Sequence, residues 1–409
     1  MIQNHGGTVP SWLSFGKLRA GYASAGSDLD PYQLNNTYQI GLDPNNNTTA
    51  QPTTTPQGVV LYDPNVKSQL IKSTELGTEM RFFKSALGFD FTWYKSNATN
   101  QIIYLPLDPL SGYNARIVNA GNIQNAGVEI SADARILSRP GGFNWTTSVN
   151  YAHNNNVIKS LYPGVGRYEL PGGGFDQISV NAIAGQQYGQ IYGTKIVRVT
   201  DPKDPNYGKE ILNNGLPQQT PYDTLLGNQQ ARHIIGWTNK FSYKHFSLSI
   251  LMDASLGGKE FSFTLASMET AGTAAATVVN GKRDSMVVAG VQGTPGNYTP
   301  NTTTVSPQQY WTALGTGNTG ITENNLYNAS NIRIRNVQLS YSVPKSVIAG
   351  SVVQRASLTF SMNNVWLISS HMHGLDPESS YATGSPAIGF ESGSVPSTRT
   401  YLFTLSLGF

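Results

Sequence analysis

The chain has 409 residues with a net charge of +3, and only 12% of them are charged, about half the share usual in soluble domains. Gly (42) and Tyr (21) are abundant, Cys is absent, the hydrophobic fraction is 39% and mean hydropathy is −0.27. No apolar run reaches the ~18 residues of a membrane helix, which excludes a helical membrane protein, and the thin, scattered positive charge argues against nucleic acid as a partner. One membrane class survives: a β-barrel, in which only alternate residues of each strand meet lipid, so that the average looks soluble.

The first ten residues show neither a charged n-region nor an apolar h-region, so they are not read as a signal peptide. Period-2 alternation then predicts strands in chain order. One covers Phe15 to Ser24. Leu76 to Phe83 and Leu87 to Tyr94 read as a hairpin joined by Lys84, Ser85 and Ala86, and Gln101 to Leu105 as a further strand. In Ala126 to Leu137, Val128, Ile130, Ala132, Ala134 and Ile136 share one face, and Glu129, Ser131, Asp133 and Arg135 the other. A short turn leads to Phe143 to Tyr151, whose aromatics fall near the strand ends, as in an interfacial girdle. Tyr188 to Val199 is predicted as a strand. Gly236 to Tyr243 and Phe246 to Asp253 form a hairpin around Lys244 and His245, with Phe246, Leu248, Ile250 and Met252 as its outward stripe. Ile332 to Val343, Ala356 to Met362 and Thr400 to Phe409 complete the set.

The strand from Ile332 slips phase. Ile332 and Ile334 lie on even positions, while Val337, Leu339, Tyr341 and Val343 lie on odd ones. A β-bulge at Arg335-Asn336 restores a single apolar face; otherwise the two isoleucines point inward at something apolar. Connections come in two sizes. Turns of two to five residues alternate with long Gly/Pro/Asn/Thr-rich stretches at Asn45 to Gly58, Tyr162 to Ile178, Asp201 to Arg232 and Thr270 to Thr322. Short turns on one rim and long loops on the other are the pattern of an outer-membrane barrel with the long loops outside.

Three ordered blocks carry identity. The stretch YNASNIRIRNVQLSYSVP, from Tyr327 to Pro344, resembles the R-L-R-N-V-x-L-x-Y-x-L-P signature of SusC/RagA-type TonB-dependent transporters of Bacteroidota. Leu226 to Leu248 resembles that family's G-N…G-x-x-N-x-F-x-Y-K-N-F block, and NNVWL from Asn363, GLDPESS from Gly374 and Pro396 to Phe409 resemble its closing segments. Weaker similarity runs through TELGTEM, from Thr74 to Met80, and Ala182 to Gly193.

The resemblance implies an all-β, antiparallel transmembrane barrel that imports a glycan or peptide with a SusD-like lipoprotein and draws energy through TonB. It implies no chemistry on the substrate. It also makes Tyr401, Phe403 and Phe409 of the terminal strand part of the signal read by the outer-membrane assembly machinery. Against it, no plug domain and no TonB box are recognisable. About a dozen strands are counted, where such barrels have roughly 22. The whole of 1–409 is therefore expected to be the C-terminal portion of a longer barrel, about half of it, with a split gene as the alternative. A soluble or secreted all-β carbohydrate-binding module is the other reading of the alternation, and a β-rich hydrolase a third.

Candidate site residues are few. Tyr162, Tyr168 and Phe175, around the LPGGGFD stretch from Leu170 to Asp176, are candidates for stacking on a ligand, and the glycine run itself reads as a flexible loop. Asp201 to Glu210 loosely resembles a calcium loop, interrupted by Pro202 and Pro205. His371, His373, Asp376 and Glu378 can be drawn as a metal site, but read more simply as a loop motif. No nucleophile, base and acid arrangement is visible.

Overall fold

The computed structural model describes residues 10–28, 35–36, 38–42, 52–56, 60–315, 320–372, 374–379, 381 and 384–409. Ten of its strands form one continuous antiparallel meander: β1 (Leu13–Ser27), β2 (Gln69–Phe82), β3 (Leu87–Pro106), β4 (Ala115–Leu137), β5 (Phe143–Ser160), β6 (Ala231–Tyr243), β7 (Phe246–Gly257), β8 (Asn331–Ser342), β9 (Arg355–Ser370) and β10 (Thr400–Gly408). Each pairs with its sequence neighbour, and among the described residues the outer edges of β1 and β10 do not meet. The sheet is a section of barrel wall.

Most predicted strands fall on these elements, though the observed ones are longer. At ~3.3 Å per residue the 23 residues of β4 span about 75 Å, more than twice a bilayer's hydrocarbon core. Gln101 to Leu105 is not separate but the far end of β3. Tyr188 to Val199 supplies no wall strand; only Gln190–Gly193 is extended, and it belongs to a smaller sheet. Alternation over four residues does not say which sheet a strand joins.

The β8 phase slip is a bulge. Leu251 pairs with Asn336 and Met252 with Ile334, leaving Arg335 as the extra residue, so Ile332, Ile334, Val337, Leu339 and Tyr341 share one face. The register extends that face across the sheet. Val149 lies opposite Ala132 and Trp237, and Ala132 lies opposite Phe89. Val337 lies opposite Met362, and Met362 opposite Tyr401. None of these residues enters a hydrophobic core, and many are bare: Leu18 is 76% exposed, Phe403 72% and Leu405 64%. A soluble sandwich would have closed over this band. Instead it faces outward as a belt.

The connections alternate in size. Residues 83–86, 138–142, 244–245 and 343–354 turn on one rim, while 28–68, 107–114, 161–230, 258–330 and 371–399 cross the other. In the two-residue turn Lys244 has φ of 52°. Of the Asn45 to Gly58 stretch, Pro52–Pro56 is described and pairs with Tyr38–Leu42.

The described parts of 161–230, 258–330 and 371–399 fold into a cap with the only large hydrophobic core among the described residues, built on Ile158, Ile178, Val180, Ile191, Phe261 and Phe390. A four-stranded sheet (Arg167–Phe175, Ile178–Ile183, Gln190–Gly193 and Thr224–Asn228) forms one part. Lys259–Ser262 joins Leu326–Asn328 and Phe390–Glu391 in another. Two short helices complete it: α1 (Phe263–Thr270), capped by Ser262, and α2 (Pro307–Leu314), opened by a Ser306/Gln309 capping box and packed through Leu314 on Ile196 and Ile321. The stretch from Leu170 to Asp176, expected to be a flexible loop, is largely strand: Tyr168 pairs with Ala182 and Gly174 with Ser179. Three glycines favour a loop locally, but the backbone pairing with Ile178–Ile183 decides otherwise.

Candidate functional site: the inner wall and its cap

The face opposite the apolar band carries the charge. Glu79, Asp90, Glu129, Asp133 and Asp253 alternate with outward apolar residues, so period 2 places them all inside. Arginines bridge them across strands. Arg19 of β1 reaches over β2 to β3, donating to both oxygens of Asp90 at 2.9 and 2.7 Å and to the hydroxyl of Thr92. Arg81 of β2 reaches over β3 to Asp133 of β4 at 2.6 Å.

Both bridges need a glycine beneath them. Gly77 lies between Arg19 and Thr92 in the register, and Gly88 between Arg81 and Asp133. A Cβ on Gly77 would sit 2.6 Å from Nε of Arg19, and one on Gly88 would overlap Arg81 and Asp133. The glycine of the TELGTEM stretch is thus a saddle for a guanidinium. Beside these pairs a cavity of about 450 Å³ opens on the inner wall, bordered by Arg19, Asp90, Glu129, Asn150, Ile234 and Asp253.

The R-I-R and D-P-E segments meet at the top of this wall. Arg333, 4% exposed, donates to Asp376 at 2.6 Å and to the Ser397 hydroxyl at 3.0 Å. Arg335, turned inward by the bulge, donates to Asp253 at 2.7 Å and grips both oxygens of Glu378 at 2.9 and 2.5 Å. Burial alone would push the Asp376 carboxyl up; hydrogen bonds from Ser397, Arg333 and backbone amides outweigh it and hold the group at about 2. The bulge therefore does two jobs, since it keeps the outward face apolar and aims Arg335 at the cap. A second fastening is Gln229, which accepts from the amides of Ile388 and Gly389, both at 3.0 Å, and donates to the carbonyl of Pro386 at 2.9 Å.

Buried behind these contacts lies Glu260. Among the described residues its Oε1 has no partner, and burial, with the negative charge of Glu391 and Asp376 nearby, pushes the carboxyl up to about 8. Glu391 itself accepts from the hydroxyls of Ser262 and Thr264, both at 2.7 Å.

The residues singled out from sequence are placed as follows. Phe175 is packed inside the cap, its ring 5.3 Å from Phe263, 5.5 Å from Tyr381 and 5.2 Å from Phe390. Tyr168, on the same strand, packs half-buried on that core, and burial raises its hydroxyl pKa. Tyr162 is half-buried at a turn, its carbonyl accepting from Val165. Tyr401 and Phe403 lie on the outward face of β10, and Phe409 follows it, 75% exposed.

Asp201 and Asp204 each accept from a backbone amide two residues on, while Glu210 lies 3.6 Å from Arg198. His373 lies outside the described residues, and the acids drawn with it, Asp376 and Glu378, are held by the two arginines. Among the described residues no three His, Cys, Asp or Glu converge as metal ligands would. Sequence reasoning missed the arginine network. Its signal was present in the inward acids and in the arginines, but partners such as Arg333 and Asp376 stand 43 residues apart, beyond the reach of local pattern.

Residues 8–248 match the profile of the family described as TonB dependent receptor-like, beta-barrel. The chain belongs to that family. Among curated relatives, TonB-dependent receptor P3 of Formosa agariphila is 25% identical over 98% of this chain, and TonB-dependent receptor P26 of the same organism is 23% identical over 96%. This TonB-dependent receptor chain spans about two fifths of the length of each, 40% in both cases. Among solved structures, the RagAB peptide transporter superposes with a TM-score of 0.70 at 17% identity, over 98% of this chain and 42% of that one. A structure of the RagAB peptide importer in a closed state gives the same TM-score at 19% identity. The barrel fold and the outer-membrane location are thereby those of the chain. TonB-dependent receptors are transporters rather than enzymes.

Proposed function

We propose that this chain is the wall section and external cap of an outer-membrane importer that passes a glycan or a peptide. It works with a SusD-like surface lipoprotein, and TonB supplies energy through an N-terminal part with plug and TonB box. One observation carries the reading: a mainly apolar outward face without acids or arginines backs onto an inner wall of bridged charges, the arrangement of a strand sheet separating lipid from an aqueous path. The free edges of β1 and β10 support the need for further strands, since unpaired N–H and C=O groups in hydrocarbon cost several kcal/mol each. The test is growth of a strain lacking the gene on a panel of purified glycans and peptides as sole nutrient. Loss on one class names the substrate; normal growth on all, with the protein absent from outer-membrane fractions, refutes the proposal.

In this reading Tyr162 is the ligand-stacking candidate that keeps a free role, while Phe175 serves the cap from within. Tyr401, Phe403 and Phe409 act as the assembly signal. Deleting Phe409 lowers the amount of protein reaching the outer membrane, and unchanged surface levels would remove that role.

A further inference from the structure

The outward face carries an unequal distribution of charge. Along the paired positions of the ten strands, on the membrane side of the positive-φ residues Asn100 and Gly121, outward residues include no Asp, Glu or Arg. The ionisable ones there are Lys72, Lys95, His153 and His233. All four stand at the end nearer the long connections. Trp93, opposite Leu76 and Val128, closes the apolar band, and the next outward position on β3 is Lys95. Lys95 lies opposite Thr74, and Thr74 opposite Tyr22, while Lys72 lies opposite Asn97 one row higher.

Lys72 and Lys95 are thus diagonal neighbours on adjacent strands, with Cα atoms roughly 7–8 Å apart, close enough for both ammonium groups to reach one phosphate. Both are exposed, and among the described residues neither has an ion-pair or hydrogen-bond partner. Two like charges side by side with no acid on their face repel each other until an anion arrives. Lys95 shares its row with Tyr22 and stands one row above Trp93, so the ammonium groups sit at headgroup level while the aromatic rings mark the edge of the hydrocarbon.

We propose that Lys72 and Lys95 form a binding site for the phosphate of a membrane lipid headgroup in the outer leaflet, with Tyr22 beside Lys95 and Trp93 flanking the acyl chains below. The inference rests on the outer-membrane reading of the long-connection rim, and it commits to a lipid phosphate rather than to free phosphate. Each lysine near an anionic surface is worth about fivefold in affinity, so the pair gives about 30-fold.

The test uses the intact protein extracted from outer membranes in mild detergent, with retained lipid counted by native mass spectrometry. Affinity for phosphatidylglycerol is then compared with that for phosphatidylcholine in nanodiscs. The double variant Lys72→Gln/Lys95→Gln is expected to lose the bound phospholipid and about 30-fold in phosphatidylglycerol preference. A cap variant with the same change in net charge, Lys203→Gln/Lys282→Gln, keeps both. A double variant within about twofold of the parent overturns the site. So does release of the lipid by millimolar inorganic phosphate, which would show a bare anion site. Parent protein missing from outer membranes altogether would refute the membrane reading underneath, and the fractionation step separates that failure from the others.

Discussion

Val149 offers the sharpest test of which face meets lipid. It lies six residues from Phe143 and four from His153, the two ends of the outward stripe on β5. Those 11 residues cover about 36 Å along the strand, and a tilt near 40° lowers this to about 28 Å of height, close to the hydrocarbon thickness. Val149 is therefore near the midplane, against Ala132 and Trp237. Val149→Arg is expected to cost about 2–4 kcal/mol of insertion free energy, roughly 30- to 900-fold in the folded-to-unfolded ratio. Ser148, one residue earlier, faces Asp133 on the inner wall, so Ser148→Arg is expected to change stability by less than about 1 kcal/mol. Folding of the two variants into vesicles along a urea titration, read as the heat-sensitive gel shift of the folded form, measures the difference. Equal losses for both would refute the assignment of faces, and a larger loss for Ser148→Arg would invert it.

Three further outcomes test the cap. Arg333→Met leaves Asp376 buried without its cation and is expected to destabilise segment 371–399 by about 3–5 kcal/mol, seen as faster hydrogen exchange there with the wall unchanged. Glu260, at about 8 when folded against the ordinary glutamate value of 4.5, binds its proton more tightly in the native cap. The contribution of Glu260 to cap stability is accordingly greatest below pH 4.5, falls as pH rises through the 4.5–8 window and levels above it; buried Glu210 and Glu269 act in the same sense, so exchange of residues 259–262 reports a slope that Glu260→Gln reduces. Asp376 acts in the opposite sense, giving stability above pH 3.8 that disappears as pH falls through about 2, so it does not disturb that window. Phe175→Ala is expected to cost the cap about 3–5 kcal/mol, whereas Tyr162→Ala leaves cap melting unchanged and reduces uptake; a reversed pattern would exchange their roles.

Alternation determined the wall from sequence alone. Because successive side chains on a strand point to opposite faces, Ala126 to Leu137, Phe246 to Asp253 and Thr400 to Phe409 state their own orientation with no knowledge of neighbours. The break at Arg335 was legible for the same reason, as a one-residue change of phase. Short turns such as Lys244-His245 fix antiparallel pairing of adjacent strands, so the order of the meander was legible too.

The cap and the charge network depended on tertiary structure. Gln190–Gly193 and Arg167–Phe175 are too short and glycine-rich to declare a sheet, and they became strands because Ile178–Ile183 stood between them. Phe175 looked like a surface aromatic until Phe263 and Phe390, far along the chain, closed around it. Likewise Arg19 meets Asp90, and Arg335 meets Glu378, only because the register sets them side by side and Gly77 leaves room. Local pattern fixes which way a side chain points, because the pleat is a property of consecutive residues. What it points at is a property of strand register and chain return, and that is decided only when the whole sheet is assembled.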